Sequence, residues 1–212
     1  MPQAFKVNPR QFWDERFGAE AYAYGTEPND FLRQQTAHLP LGDALCLAEG
    51  EGRNAVHLAS LGHRVTAQDL SPVGLQKAEK LAKSRGVAIR CACCDLQDFH
   101  PPENSTDLVV AIWMHLEPNL RAEVHRRAIR ALRPGGLLLL EAYRPEQLEL
   151  GTGGPPSIEL LISPEQLKQE LGGLELEILE ATTRPINEGP YHQGMSAVVQ
   201  ALGRKSAATP GN

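Results

Sequence analysis

The stretch Gly50-Glu-Gly-Arg-Asn-Ala55 sets two glycines one residue apart between an apolar run and a helical pattern, and Asp69 and Asp95 each close a later apolar run. Glycines at such a turn let a ligand approach the backbone. The helix that follows presents amide N–H groups without intrahelical partners. A carboxylate about 20 residues further on, at the tip of a second strand, can accept hydrogen bonds from ribose hydroxyls. The chemistry this spacing suits is recognition of a nucleoside-bearing cofactor, and it suits a nicotinamide dinucleotide and an adenosylated sulfonium equally well.

Three features favour the sulfonium. Asp95 ends the third apolar run, where it can accept from an adenine amino group, and the turn Arg133-Pro-Gly-Gly136 precedes the fifth. The chain then closes with two successive strands instead of a second mononucleotide-binding half. Glu49 adds negative charge beside the turn, suited to a sulfonium and an amine. His115 follows the fourth run and His192 precedes the last, so both are candidate catalytic bases for an acceptor that has a proton to lose. Trp113 is expected against the cofactor, and Tyr143 and Tyr191 are candidates for the acceptor wall.

The elements that must position these residues alternate in kind. Apolar runs at 44–49, 64–69, 88–94, 107–112 and 137–141 predict five buried strands, and helical spacing over 54–61, 71–84 and 118–132 predicts the helices between them. Such alternation implies a doubly wound, mostly parallel α/β sheet. Ser163-Pro-Glu-Gln166 reads as a capping box opening a short helix. Two further strands, 174–183 and 196–202, follow without a helix between them and should pair antiparallel, making a seven-stranded sheet with an antiparallel C-terminal edge. Residues 148–156, with three glycines and two prolines, predict a mobile loop. The expected organisation is a single domain over 1–205, with a helical cap over 1–40, a sheet core over 42–205 and a disordered tail over 206–212.

A net charge of −5 gives no basic field for phosphate backbones or anionic lipid, so neither nucleic acid nor a membrane is expected as partner. No apolar run is long enough to span a bilayer and no basic-then-apolar leader opens the chain, so a cytoplasmic protein, monomeric and acting on a small molecule, is expected. Of four cysteines, Cys91, Cys93 and Cys94 crowd one strand, where buried reduced thiols are expected over a metal site using Cys91, Cys93 and His100. No Asp/Asn-Pro-Pro-aromatic tetrapeptide of the kind used in base-amino methylation is present.

From about residue 42 to 143 the chain resembles the class I S-adenosylmethionine-dependent methyltransferases, on Gly50-Glu-Gly-Arg-Asn54, Asp69-Leu-Ser71, Cys94-Asp-Leu96 and Arg133-Pro-Gly-Gly136. Trp13-Asp-Glu-Arg-Phe17, Tyr24-Gly25, Pro28-Asn29 and the ending 189–205 are similar to the tellurite-resistance and thiopurine branch, which acts on small molecules. The resemblance implies S-adenosyl-L-methionine as cofactor. It implies Tyr24 and Gly25 over the methionine end and Ala48, Gly50 and Gly52 lining it, with Arg53 and Asn54 in the same motif. Asp69 with Leu70 would hold ribose, and Asp95 with Leu96 would meet adenine. Cys46 and Ala48 stand where the family has Asp and Gly, and Gln193 follows His192 where the tellurite-type proteins carry a basic residue. Two other readings stay open: an NAD-dependent oxidoreductase, and a non-catalytic protein binding adenosylmethionine or adenosylhomocysteine.

Overall fold

A computed structural model describes residues 8–207. Helices α1 (Pro9–Phe17) and α2 (Asp30–Gln35) precede β1 (Asp43–Leu47). There follow α3 (Arg53–Ser60), β2 (Arg64–Asp69), α4 (Pro72–Ser84), β3 (Arg90–Cys93), β4 (Thr106–Ile112), α5 (Pro118–Ala131) and β5 (Leu132–Tyr143). The chain ends with α6 (Gln147–Leu150), α7 (Pro164–Glu170), β6 (Glu175–Asn187) and β7 (Gln193–Arg204). One seven-stranded sheet results, in the order β3-β2-β1-β4-β5-β7-β6. The first five strands run parallel, and β7 lies antiparallel between β5 and β6.

Side chains alternate faces along a strand, and the apolar runs use both. Leu45, Leu47, Val109, Ala111, Leu138 and Leu140 pack on one side with α5 and α7, through Val124, Ala128, Leu167 and Leu171. Ala44, Cys46, Leu108, Val110, Leu137 and Leu139 pack on the other, against Phe31 and Leu32 of α2, Ala55 and Leu58 of α3, and Leu75 of α4. The reversal of strand order falls between β1 and β4, so the C-terminal ends of β1, β2, β3 and β4 open on a common crevice. The Ser163 capping box is complete, its hydroxyl accepting from the Gln166 amide while the Gln166 side chain accepts from the Ser163 N–H.

Four expectations change. Strand β5 starts at Leu132, not beyond the turn: Thr106 pairs with Leu132, the register slips, and Leu108 resumes with Leu137, making Arg133-Pro-Gly-Gly136 a bulge within the strand. Strands β6 and β7 run further than their apolar cores, because backbone pairing continues from Thr183–Ala197 to Asn187–Gln193 through polar residues on the sheet edge. The loop expected mobile begins as a helical turn and is fastened: Gln147 Nε2 donates to Thr152 and Gly153, and Thr152 Oγ1 donates to the Met195 carbonyl. Of the crowded cysteines, Cys93 is exposed and Cys91 and Cys94 half-buried, since β3 is an edge strand; all four cysteines are free. The expected tail lies, from residue 208 on, outside the described residues. Among the described residues no helix is long and apolar enough to cross a membrane, and no group of three His, Cys, Asp or Glu side chains is arranged around a metal position.

Candidate active site

Where β1 ends, Ala48 takes φ +50°, then Gly50 and Gly52 take +63° and +91°. Left-handed backbone is free for glycine and costs an alanine. Gly52 caps α3, and a Cβ there would stand 2.5 Å from Ala78 Cβ, so its smallness lets α3 and α4 approach. Gly50 lies under the Phe17 ring, which a Cβ would meet at 3.0 Å.

The Glu49 side chain folds onto the start of α3, and its Oε1 accepts the amides of Asn54 and Ala55 at 2.9 and 2.8 Å. A carboxylate thus occupies the positive end of the helix from within the chain. Burial pushes Glu49 up to about 7, against the pull of those amides. Asp69 closes β2 with Oδ2 on the Gly50 amide and Oδ1 on the Ser71 amide, both at 2.8 Å, and burial raises it to about 6. Each of its oxygens keeps a lone pair for a further donor.

These groups line one cavity of about 260 Å³ together with Tyr24, Gly25, Ala48, Gly50, Arg53, Asn54, Leu70, Asp95, Leu96, Trp113, His115 and His192. Every residue singled out from the sequence for cofactor or acceptor chemistry reaches it except three. Gly52 is spent on helix packing. Tyr143 is fully buried behind the wall, and Tyr191 is about half exposed, under the Arg16 guanidinium. Trp13 and Phe17 of α1, stacked with centroids 5.4 Å apart, close the cavity from the N-terminal side.

Trp113 follows β4 with φ +57°, held there by its N–H on the Glu141 carbonyl. Its ring stacks on Tyr143 at 4.3 Å and its Nε1 donates to Glu188 Oε2 at 2.7 Å. The His115 ring also lies nearly parallel to Tyr143, at 5.6 Å. Both His115 nitrogens are buried without a hydrogen-bond partner, and burial pulls the imidazole down to about 3. His192 is surrounded by the rings of Tyr24, Trp113 and Tyr143 at 4.6, 5.3 and 5.4 Å.

Sequence reasoning missed Glu188. Its Oε1 accepts from Asn29 at 2.9 Å, and its Oε2 accepts from Arg53 at 2.6 Å besides Trp113. The His192 Nδ1 lies 3.9 Å from the same oxygen. Burial opposes ionisation of Glu188, yet His192, Arg53 and Trp113 together hold its carboxyl well below the usual range. Arg53 retains a second terminal nitrogen, Nη1, buried and without a partner.

Strand order, the glycine turn and the acidic strand ends around one crevice define a class I S-adenosylmethionine-dependent methyltransferase fold. Residues 44–136 match the family described as methyltransferase domain. N-terminal Xaa-Pro-Lys N-methyltransferase 1 of Rattus norvegicus is 33% identical over 115 residues, covering 52% of each chain. The chain thus spans about half the length of that curated relative. Two solved structures share the fold over most of their length. One, reported for conversion of a disulfide bond into a thioacetal group during echinomycin biosynthesis, has a TM-score of 0.77 at 20% identity, covering 95% of this chain and 93% of that one. TehB from Haemophilus influenzae has a TM-score of 0.71 at 16% identity, covering 93% of this chain and 67% of that one.

The donor set fits the adenosylmethionine that this class uses. The cavity offers carboxylates at three strand ends and an orphaned guanidinium nitrogen, which answer to hydroxyls, amines and one carboxylate.

Proposed function

We propose that this protein transfers a methyl group from S-adenosylmethionine to a small-molecule acceptor. The observation that carries the cofactor assignment is Glu49 on the α3 N-terminus. A dinucleotide fold leaves that helix end for pyrophosphate; here a carboxylate fills it, and a bound diphosphate would meet like charge. The same carboxylate suits a ligand with a sulfonium and an ammonium.

In this reading Asp69 and Leu70 hold ribose, Asp95 and Leu96 meet adenine, and Tyr24, Gly25, Ala48 and Gly50 surround the amino-acid end. The free Arg53 Nη1 takes the amino-acid carboxylate. When bound, the cofactor supplies an electrophilic methyl on a cationic sulfur. The chain itself contributes alignment, which for an in-line displacement is worth on the order of 7–11 kcal/mol at best. The Trp13–Phe17 cover over the same cavity supports a small acceptor. The rat relative, named for a protein N-terminus, makes a peptide end the rival substrate.

Titration calorimetry tests the cofactor. Adenosylmethionine should bind and raise the melting temperature, NAD(H) should do neither, and Asp69→Ala should weaken binding at least about tenfold, as loss of charge-assisted hydrogen bonds does. Stabilisation by NAD(H) instead would favour an oxidoreductase. Binding with no transfer to thiol, selenium, amine or carboxylate acceptors would favour a non-catalytic binding protein.

A further inference from the structure

The charges and rings around His192 point to the kind of atom that receives the methyl group; the argument rests on the methyl-transfer reading above. Glu49, Glu51, Asp69, Asp95 and Glu117 all line the cavity. Among the described residues, Arg53 is the sole guanidinium on the lining and is already paired with Glu188, and no lysine lines the cavity. With the free Arg53 Nη1 taken by the cofactor's carboxylate, an acceptor bearing negative charge at its reacting atom finds no further cation among these lining residues to replace its water, and several carboxylates oppose it. That weighs against thiolates, carboxylates and oxyanions. A hydroxyl stays neutral but needs a strong base, and the imidazoles here are weakened by burial.

A nitrogen acceptor meets neither objection. As an ammonium it is drawn by the carboxylates and by the rings of Tyr24 and Trp113, which line the cavity beside His192. It must then lose one proton to expose its lone pair. Two imidazoles line the cavity: His115, whose ring nitrogens are both buried without a hydrogen-bond partner, and His192, whose Nδ1 faces Glu188 Oε2 at 3.9 Å and leaves Nε2 for the proton. His115 has no carboxylate beside it and is too weak a base. His192 differs: Glu188 pulls its affinity for protons up, while burial, Arg53 and Arg16 pull it down. The other titratable groups against it are His115, Tyr24 and Tyr143.

We propose that the acceptor is an amine, that His192 takes its proton, and that Glu188 is the positioning residue that orients His192 and steadies its charged form. The balance is complete. The ammonium gives one proton to the imidazole, the freed lone pair forms the N–C bond, and the S–C bond breaks with its electron pair remaining on sulfur. The product leaves as a methylated ammonium beside a neutral thioether, and the imidazolium returns its proton to solvent.

The test uses the whole chain, labelled adenosylmethionine and a panel of small primary and secondary amines, a short peptide with a free N-terminus, thiols, phenols and carboxylates. Methylated amine is expected, and the small-molecule and peptide arms separate the two sources of that nitrogen. His192→Asn should lower kcat about a hundredfold, the lower end of general-base catalysis, while cofactor Kd stays within about twofold. Its rate should then climb with the amine's own ionisation, whereas Glu188→Gln should move the wild-type acid limb to lower pH. A merely structural role would shift neither limb. Methylation of thiols, phenols or carboxylates with every amine untouched overturns the proposal, as does cofactor binding with no amine product, or a His192→Asn protein with unaltered kcat and pH profile. Failure of the wild-type chain to bind adenosylmethionine would remove the underlying reading and this proposal together.

Discussion

Ala48 shows what a single side chain costs at the site. It occupies left-handed backbone at φ +50°, with its amide on the Gln68 side chain, at a position where the resemblance noted from the sequence leads one to expect glycine. Relief of that strain is worth about 1–2 kcal/mol, less the roughly 0.4–1 kcal/mol by which glycine frees the unfolded chain. Ala48→Gly should therefore stabilise the protein by about 0.5–1 kcal/mol, raising the melting temperature by roughly 2–3 °C in a scanning measurement. A fall in melting temperature would mean that the alanine Cβ makes contacts outweighing its strain. The turn and its partners Asp69 and Asp95 were legible in the sequence, because strand, glycine and acid recur at short separations that period and turn chemistry govern. Glu188 was not. It bonds to residues 29, 53 and 113, and no local pattern relates those positions until the sheet is folded.

At the level of elements, the β6–β7 hairpin does more than close the sheet edge. Glu141 of β5 is fully buried, and its carboxylate accepts Arg184 of β6 through two bonds of 2.8 and 2.6 Å, Gln200 of β7 at 2.6 Å and Asn29, the cap of α2, at 2.6 Å. The network joins both C-terminal strands to the start of α2. Removing the cation from a buried pair leaves an uncompensated charge, which costs about 3–5 kcal/mol. Arg184→Met should accordingly lower the free energy of unfolding extrapolated from urea titration by that order, while Glu141→Leu/Arg184→Met should recover most of the loss, since an apolar pair has no charge to strand. Full loss in the double variant would instead mean that the side chains act by shape. The sequence announced two antiparallel strands here but not their length, because pairing outlasts the apolar run that marks them.

Taken whole, the molecule is a sheet core with a cover, and Trp13 and Phe17 of that cover line the cavity a ligand enters, so its hold on the core governs how fast a ligand leaves. What fastens it is a buried cation. Lys77 of α4 donates to the carbonyls of Ala19 and Ala21 at 2.9 and 2.8 Å and of Phe17 at 3.3 Å, and pairs with Glu51 at 2.5 Å. Glu51 in turn accepts the Ala23 amide at 2.7 Å, and the Ser71 hydroxyl ties down Asp14. These bonds hold the segment between α1 and α2, whose own backbone makes few regular hydrogen bonds, so its closed position depends on them. Core strands draw on none of them. Lys77→Met, made with Glu51→Gln so that no lone charge is buried, should leave the core folded and loosen the cover. The expected readings are adenosylmethionine dissociation about tenfold faster by stopped flow, equivalent to roughly 1.4 kcal/mol, and quicker proteolysis between residues 18 and 28. Ligand should protect that segment in the wild-type chain and much less in the variant. An unchanged dissociation rate would show that the aromatic contacts of Trp13 and Phe17 suffice to hold the cover shut.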